Sequence, residues 1–95
     1  MTPERLKEVI STYPSGMKFS LRVGMSRHSR NICLLLVPEY GSRTVPVYVP
    51  RRQEQDRMTE LQVQQINKQC HQQKKKYFDM LEALGCLLTT EGNLP

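Results

Sequence analysis

Ninety-five residues carrying a net charge of +5 have room for one hydrophobic core, so a multidomain architecture is excluded. With 38% hydrophobic and 24% charged residues the chain belongs with globular rather than disordered sequences, and no run approaches the ~18 apolar residues a membrane span requires. Three cysteines without a Cys-x-x-Cys pair, and an opening Met-Thr-Pro-Glu-Arg without an apolar signal core, predict a cytoplasmic protein with no disulfide framework, zinc ribbon or membrane partner.

The first element is a helix. Thr2 suits the N-cap, Pro3 the first helical position and Glu4 the positive end of the dipole. Leu6, Val9, Ile10 and Tyr13 then fall on one stripe, and Pro14-Ser15-Gly16 stops the helix. Strict alternation follows, with Met17, Phe19, Leu21, Val23 and Met25 apolar and Lys18, Ser20, Arg22 and Gly24 between them, which is a half-buried strand. Ile32 to Val37 is apolar on both faces apart from the Cys33 thiol, so it reads as a central strand. Pro38 to Ser42 is turn chemistry. Thr44 to Val49 alternates again, with Val45, Val47 and Val49 inward, and Pro46, which has no N–H for a ladder, places this strand at an edge.

From about Glu54 to Leu84 there is neither proline nor glycine, and Gly85 is placed to take the left-handed position after a helix. Such a helix, about 45 Å long, would overhang strands of about 25 Å or break. Met58, Leu61, Ile66 and Cys70 suit one stripe and Tyr77, Phe78, Leu81 and Leu84 another, with a polar Gln72 to Lys76 waist or kink between them. A second register, Val63, Cys70, Tyr77 and Leu84 at a with Ile66, Gln73, Met80 and Leu87 at d, is a weak heptad that would support self-association. Cys86 to Thr90 is β-prone and suits a short extra strand or a segment packed back on the helix. The expected fold class is therefore α+β: a helix, a three-stranded antiparallel meander and a long C-terminal helix. It forms a single domain over 1–90, and 91–95 is a frayed tail.

Little in the chain suggests catalysis. Cys70 and His71 are helix neighbours about 100° apart and cannot pair as nucleophile and base. Cys33 lies in an apolar strand, where a thiol behaves as a small hydrophobe. His28, Cys70, His71 and Cys86 have no metal-ligand spacing, the acids are scattered along the helix, and no Gly-rich phosphate loop is present. The expectation is a non-enzyme with no cofactor and no metal.

Charge placement is more informative. Val9 to Pro38 and Leu61 to Phe78 contain no acidic residue, yet they hold Lys18, Arg22, Arg27 and Arg30, and Lys68, Lys74, Lys75 and Lys76. Cations with no local acid favour a polyanionic partner. Arg27, His28 and Arg30 sit between two strands, where a sheet would hold their donors out, and Arg51 and Arg52 precede the long helix near its positive end. Lys18, Ser20, Arg22, Thr44 and Tyr48 should occupy the sheet face opposite Phe19, Leu21 and Val23, beside apolar residues of the central strand. These observations lead to a nucleic-acid-binding module using Lys18, Arg22, Arg27, His28, Arg30, Arg51, Arg52, Lys74, Lys75 and Lys76 on backbone phosphates. The alternative is a protein-binding inhibitor, adaptor or assembly factor, including a homodimer, docking through Tyr48, Tyr77, Phe78, Leu81 and Leu84.

The order helix, three strands, helix resembles that of double-stranded RNA-binding domains and is similar to that of the Alu-domain proteins of the signal recognition particle. His28 in the first inter-strand loop, followed by Ile32 and Leu36, looks like the loop histidine of the first of these families. The resemblance implies that His28 would reach a minor groove, and it favours RNA over DNA. That family opens its second helix with a Lys-Lys-x-Ala-Lys cluster, whereas Lys74 to Lys76 lie about twenty residues into this one. The likeness is one of topology.

Overall fold

The computed structural model describes residues 1–25, 32–41, 43–50 and 59–89. Its elements are α1 (Pro3–Ser11), β1 (Lys18–Met25), β2 (Ile32–Pro38), β3 (Val45–Tyr48), α2 (Glu60–Ala83) and β4 (Leu87–Leu88). The strands form one sheet in the order β3-β2-β1-β4. β1 to β3 are the expected antiparallel meander, and β4 adds in parallel beside β1, so the α+β fold carries a mixed sheet.

Local chemistry explains where the helices start and stop. The Thr2 hydroxyl accepts from the Arg5 N–H at 3.2 Å and caps α1. Thr59 caps α2 in a reciprocal box: its own N–H donates to Gln62 Oε1 at 2.9 Å, and the Gln62 N–H donates to Thr59 Oγ1 at 3.3 Å. At the other end Gly85 takes φ +73°, its N–H donates to the Glu82 carbonyl, and the Cys86 N–H reaches back to the Leu81 carbonyl at 3.0 Å. This pair of bonds is a Schellman stop, and it turns the chain straight into β4.

Both helices pack on one face of the sheet. Phe19, Leu21 and Val23 of β1, Leu34 and Leu36 of β2, and Val47 of β3 meet Leu6 of α1 and Ile66, Cys70, Tyr77 and Leu81 of α2 in a single core. Tyr13 closes the α1 end with an edge-to-face contact to Phe19, ring centroids 5.3 Å apart. Each fully buried leucine in this set contributes roughly 1.5–3 kcal/mol.

Three expectations need correction. The two apolar stripes on the long helix are one: Ile66, Cys70, Tyr77 and Leu81 share the sheet-facing side, α2 runs unbroken through Gln72 to Lys76, and Leu61 is 65% exposed. A 24-residue helix is about 36 Å long and the longest strand, β1, about 27 Å, so α2 is longer than the sheet it packs on and Leu61, near its start, stays exposed. The weak heptad is the same core stripe, and a coiled-coil dimer through Cys70 and Tyr77 would have to open the domain. Finally, β3 does not alternate cleanly. A bulge between Leu34 and Leu35 lets Tyr48 pair with Leu34, so Val47 is buried, Tyr48 packs half-buried against the core and Val49 is 44% exposed. Tyr48 is thus on the helix side of the sheet, not on the opposite face.

Candidate nucleic-acid interface

The face that neither helix covers is set by strand register. Arg22 lies opposite Leu35, Ser20 opposite Val37, Gly24 opposite Cys33, and Leu35 in turn opposite Pro46. On the far side Lys18 pairs with Leu87 of β4. Because side chains alternate, all of these point away from the core. At the Gly24 end this face is closed, since Cys33 is fully buried, and a Cβ on Gly24 would come 3.0 Å from Leu35 Cδ1. Toward the other end it opens, with Lys18 and Arg22 both exposed and Leu87 50% exposed.

Lys18 and Arg22 are four residues apart on one strand, which separates them by about 13 Å. None of the four strands contains an acidic residue. Glu39 stands beyond β2, its N–H donating to the Lys18 carbonyl at 2.8 Å, but the only ion pair among the described residues is Arg5–Glu8 on α1. The two strand cations therefore carry no neutralising partner there. In sequence β1 leads directly to Arg27, His28 and Arg30; these three, with Arg51 and Arg52, lie outside the described residues.

The lysine cluster of α2 is elsewhere. Ile66, Cys70, Tyr77 and Leu81 face the sheet, and two residues along a helix is a rotation of roughly 200°. Lys68 and Lys75, two positions before Cys70 and Tyr77, thus lie directly opposite the buried stripe, and both are exposed. Lys76 is exposed at the flank with Nζ 6.0 Å from the Tyr77 ring centroid, a cation–π contact at its outer limit. Lys74 is half-buried, and desolvation holds its ammonium below the ordinary lysine pKa, which makes it the least suited of the four to meet a phosphate. The described members of the expected basic set therefore lie on two different sides of the domain. Lys68 belongs with Lys75 and Lys76 through a spacing of seven that the sequence already contained. Leu87 joins Lys18 through a two-residue parallel pairing; the β-prone Cys86 to Thr90 stretch signals the strand but not the edge it joins.

The residues expected at a protein interface are mostly interior. Tyr77 is 3% and Leu81 0% exposed, and Tyr48, Phe78 and Leu84 are half-buried against the same core. Tyr77 and Leu81 are thus corrected from surface to core, because one continuous stripe of α2 is spent on the sheet. Burial, aided by the nearby Tyr48, pushes the Tyr77 phenol above its usual pKa. Burial also pushes the Cys70 thiol up to about 11, with a smaller contribution from Cys33, so neither is an activated nucleophile. Among the described residues no three His, Cys, Asp or Glu side chains come together as a metal site, and no helix is long and apolar enough to cross a membrane.

One groove accompanies these surfaces. It lies between α1 and the edge strand β3, has a volume of about 520 Å³, and is lined by Arg5, Tyr13, Arg43 and Pro46 among others. Arg5 is already held by Glu8 at 2.9 Å, and Pro46 removes a donor that an added strand would need. Comparison with protein families, with characterised proteins and with solved structures found no match to this chain.

Proposed function

We propose that the protein is a small non-enzymatic module that binds nucleic acid through backbone phosphates, using the helix-free face of its sheet and the β1–β2 connection. The observation that carries this reading is the pair Lys18 and Arg22, both exposed on one strand, with no ion pair to either among the described residues and no acidic residue in the four described strands. Arginine's planar fork and the lysine ammonium are the usual donors to phosphate oxygens, and such contacts position a backbone without reading bases. A preference for RNA over DNA rests on the element order alone.

Fluorescence anisotropy with a labelled 20-nucleotide oligomer, single- and double-stranded, over a salt series tests the reading. Each phosphate contact on duplex contributes about −0.9 to the slope of log K against log salt, so the Lys18→Ala, Arg22→Ala double variant should flatten that slope by about 1.8 and bind more weakly. Unchanged affinity in the double variant at low salt, or no binding of either oligomer by the wild type, would overturn the proposal.

A second reading, docking on a protein, has its own observation. Met25 and Val49 are 61% and 44% exposed at the end of the sheet where β1 meets β2, and α2 extends Leu61 past its strands. Scattered apolar residues are normal, but several near one end are a better interface than the buried Tyr77 and Leu81. Light scattering during size-exclusion chromatography decides whether the chain itself is that partner: a monomer at micromolar concentration excludes the homodimer.

A further inference from the structure

We propose that the protein bridges two separate segments of nucleic acid, one on each face, and so acts as a linker or annealing factor rather than a one-sided binder. The inference rests on the phosphate-binding reading above. It goes beyond it by giving the α2 lysines a role of their own.

The argument starts from the layering. α2 packs on β1 and β2 through Ile66, Cys70, Tyr77 and Leu81, so the side of α2 that carries Lys68 and Lys75 points away from the sheet, while Lys18 and Arg22 point away from the helices. The body measures 41 × 24 × 23 Å, so a sheet layer and a helix layer stand between the two sets of cations. A straight duplex lying on one set does not reach the other. Each set is charged independently: among the described residues no ion pair involves Lys18, Arg22, Lys68, Lys75 or Lys76. Asp79 lies one turn beyond Lys75 without pairing to it, and Leu61 to Phe78 supplies no acid along the helix. Lys18 and Arg22 on one face, and Lys68 and Lys75 on the other with Lys76 at its flank, are a poor arrangement for gripping one duplex tightly. They suit holding two polyanions that would otherwise repel each other, since each face neutralises its own phosphates and releases its own counterions.

Two 20-base-pair duplexes, one carrying a donor dye and the other an acceptor, test this by energy transfer at low salt, with anisotropy of a single labelled duplex run in parallel. The wild type should bring donor and acceptor together. The Lys18→Ala, Arg22→Ala variant and the Lys68→Ala, Lys75→Ala, Lys76→Ala variant should each still bind one duplex but lose at least fivefold in transfer. All five positions are exposed, so both variants should keep the wild-type circular dichroism. Saturated binding without transfer in the wild type would overturn bridging and leave the phosphate-binding reading standing. No anisotropy change would overturn both. Transfer that survives in either variant at saturating protein would also refute the two-face arrangement, because it would mean that one face, presented twice by a dimer, is enough.

Discussion

Leu61 and Leu81 are the same residue in the same helix, and the fold places them in opposite environments: Leu61 is 65% exposed near the overhanging start of α2, and Leu81 is 0% exposed against the sheet. Truncating each to alanine changes helix propensity by a similar, small amount, so the difference between the variants isolates burial. Leu81→Ala removes buried methyl groups and leaves a cavity in the core shared by the sheet and α2, a loss of about 2–5 kcal/mol; Leu61→Ala should lie within about 0.5 kcal/mol of wild type. A domain of this size is worth roughly 5–14 kcal/mol in total, so Leu81→Ala should lower the melting temperature by roughly 10–30 °C and Leu61→Ala by only a few. Urea unfolding followed by circular dichroism at 222 nm gives both values. If Leu81→Ala does not fold, Leu81→Met, which preserves volume, should fold with a loss under about 1.5 kcal/mol. A loss below about 1 kcal/mol for Leu81→Ala, or equal losses at the two positions, would mean that α2 does not present this stripe to the sheet.

The ends of α2 give two further tests. Gly85→Ala forces a β-carbon into a left-handed backbone at φ +73° and should cost about 1 kcal/mol in the same urea assay, with Gly85→Asn losing less. Thr59→Ala removes the hydroxyl that accepts from Gln62 and should cost about 1 kcal/mol, whereas Thr59→Ser should be nearly silent. The Cys70 thiol, raised by burial from 9.0 to about 11, stays neutral in the folded chain after its unfolded counterpart ionises. Its contribution is therefore complete below about pH 9 and fades as pH rises toward 11, so stability should decline across that window, and less steeply in Cys70→Ala. A thiol reagent at pH 8 should label Cys86, which is half-buried, well before Cys33 and Cys70, which are enclosed; mass spectrometry of the early products checks the order.

Elements were legible where the cause was local. The Thr2-Pro3-Glu4 opening, the Met17 to Met25 alternation, the apolar run at Ile32, the proline in β3 and the glycine after α2 each act within a few residues, and each appears as read. What failed depended on partners distant in sequence. The bulge at Leu34/Leu35 shifts β3 by one residue, and one residue is enough to carry Tyr48 from the expected outer face to the inner. The apolar pattern predicts two stripes on α2 because Leu61 suggests burial, whereas the length of the helix relative to its strands leaves Leu61 exposed and a single stripe buried. Tyr77 and Leu81 looked like interface residues for a related reason: an amphipathic helix announces an apolar face without naming what will cover it.

The cations follow from the same reasoning. Reading along the chain joins Lys18, Arg22 and the lysines of α2 into one basic set, because both groups lie in acid-free stretches. Periodicity separates them. Even-numbered positions of β1 face away from the core, so Lys18 and Arg22 are fixed to the helix-free side as soon as Phe19, Leu21 and Val23 are buried. A residue two places before a buried helical position must face outward, so Lys68 and Lys75 are fixed to the opposite side as soon as Cys70 and Tyr77 are buried. The core that makes the fold stable thus also dictates that these charges cannot converge on one groove. Under the proposed bridging each face takes its own polyanion, and substitutions on the two faces should act on affinity independently, as expected of sites with no shared partner.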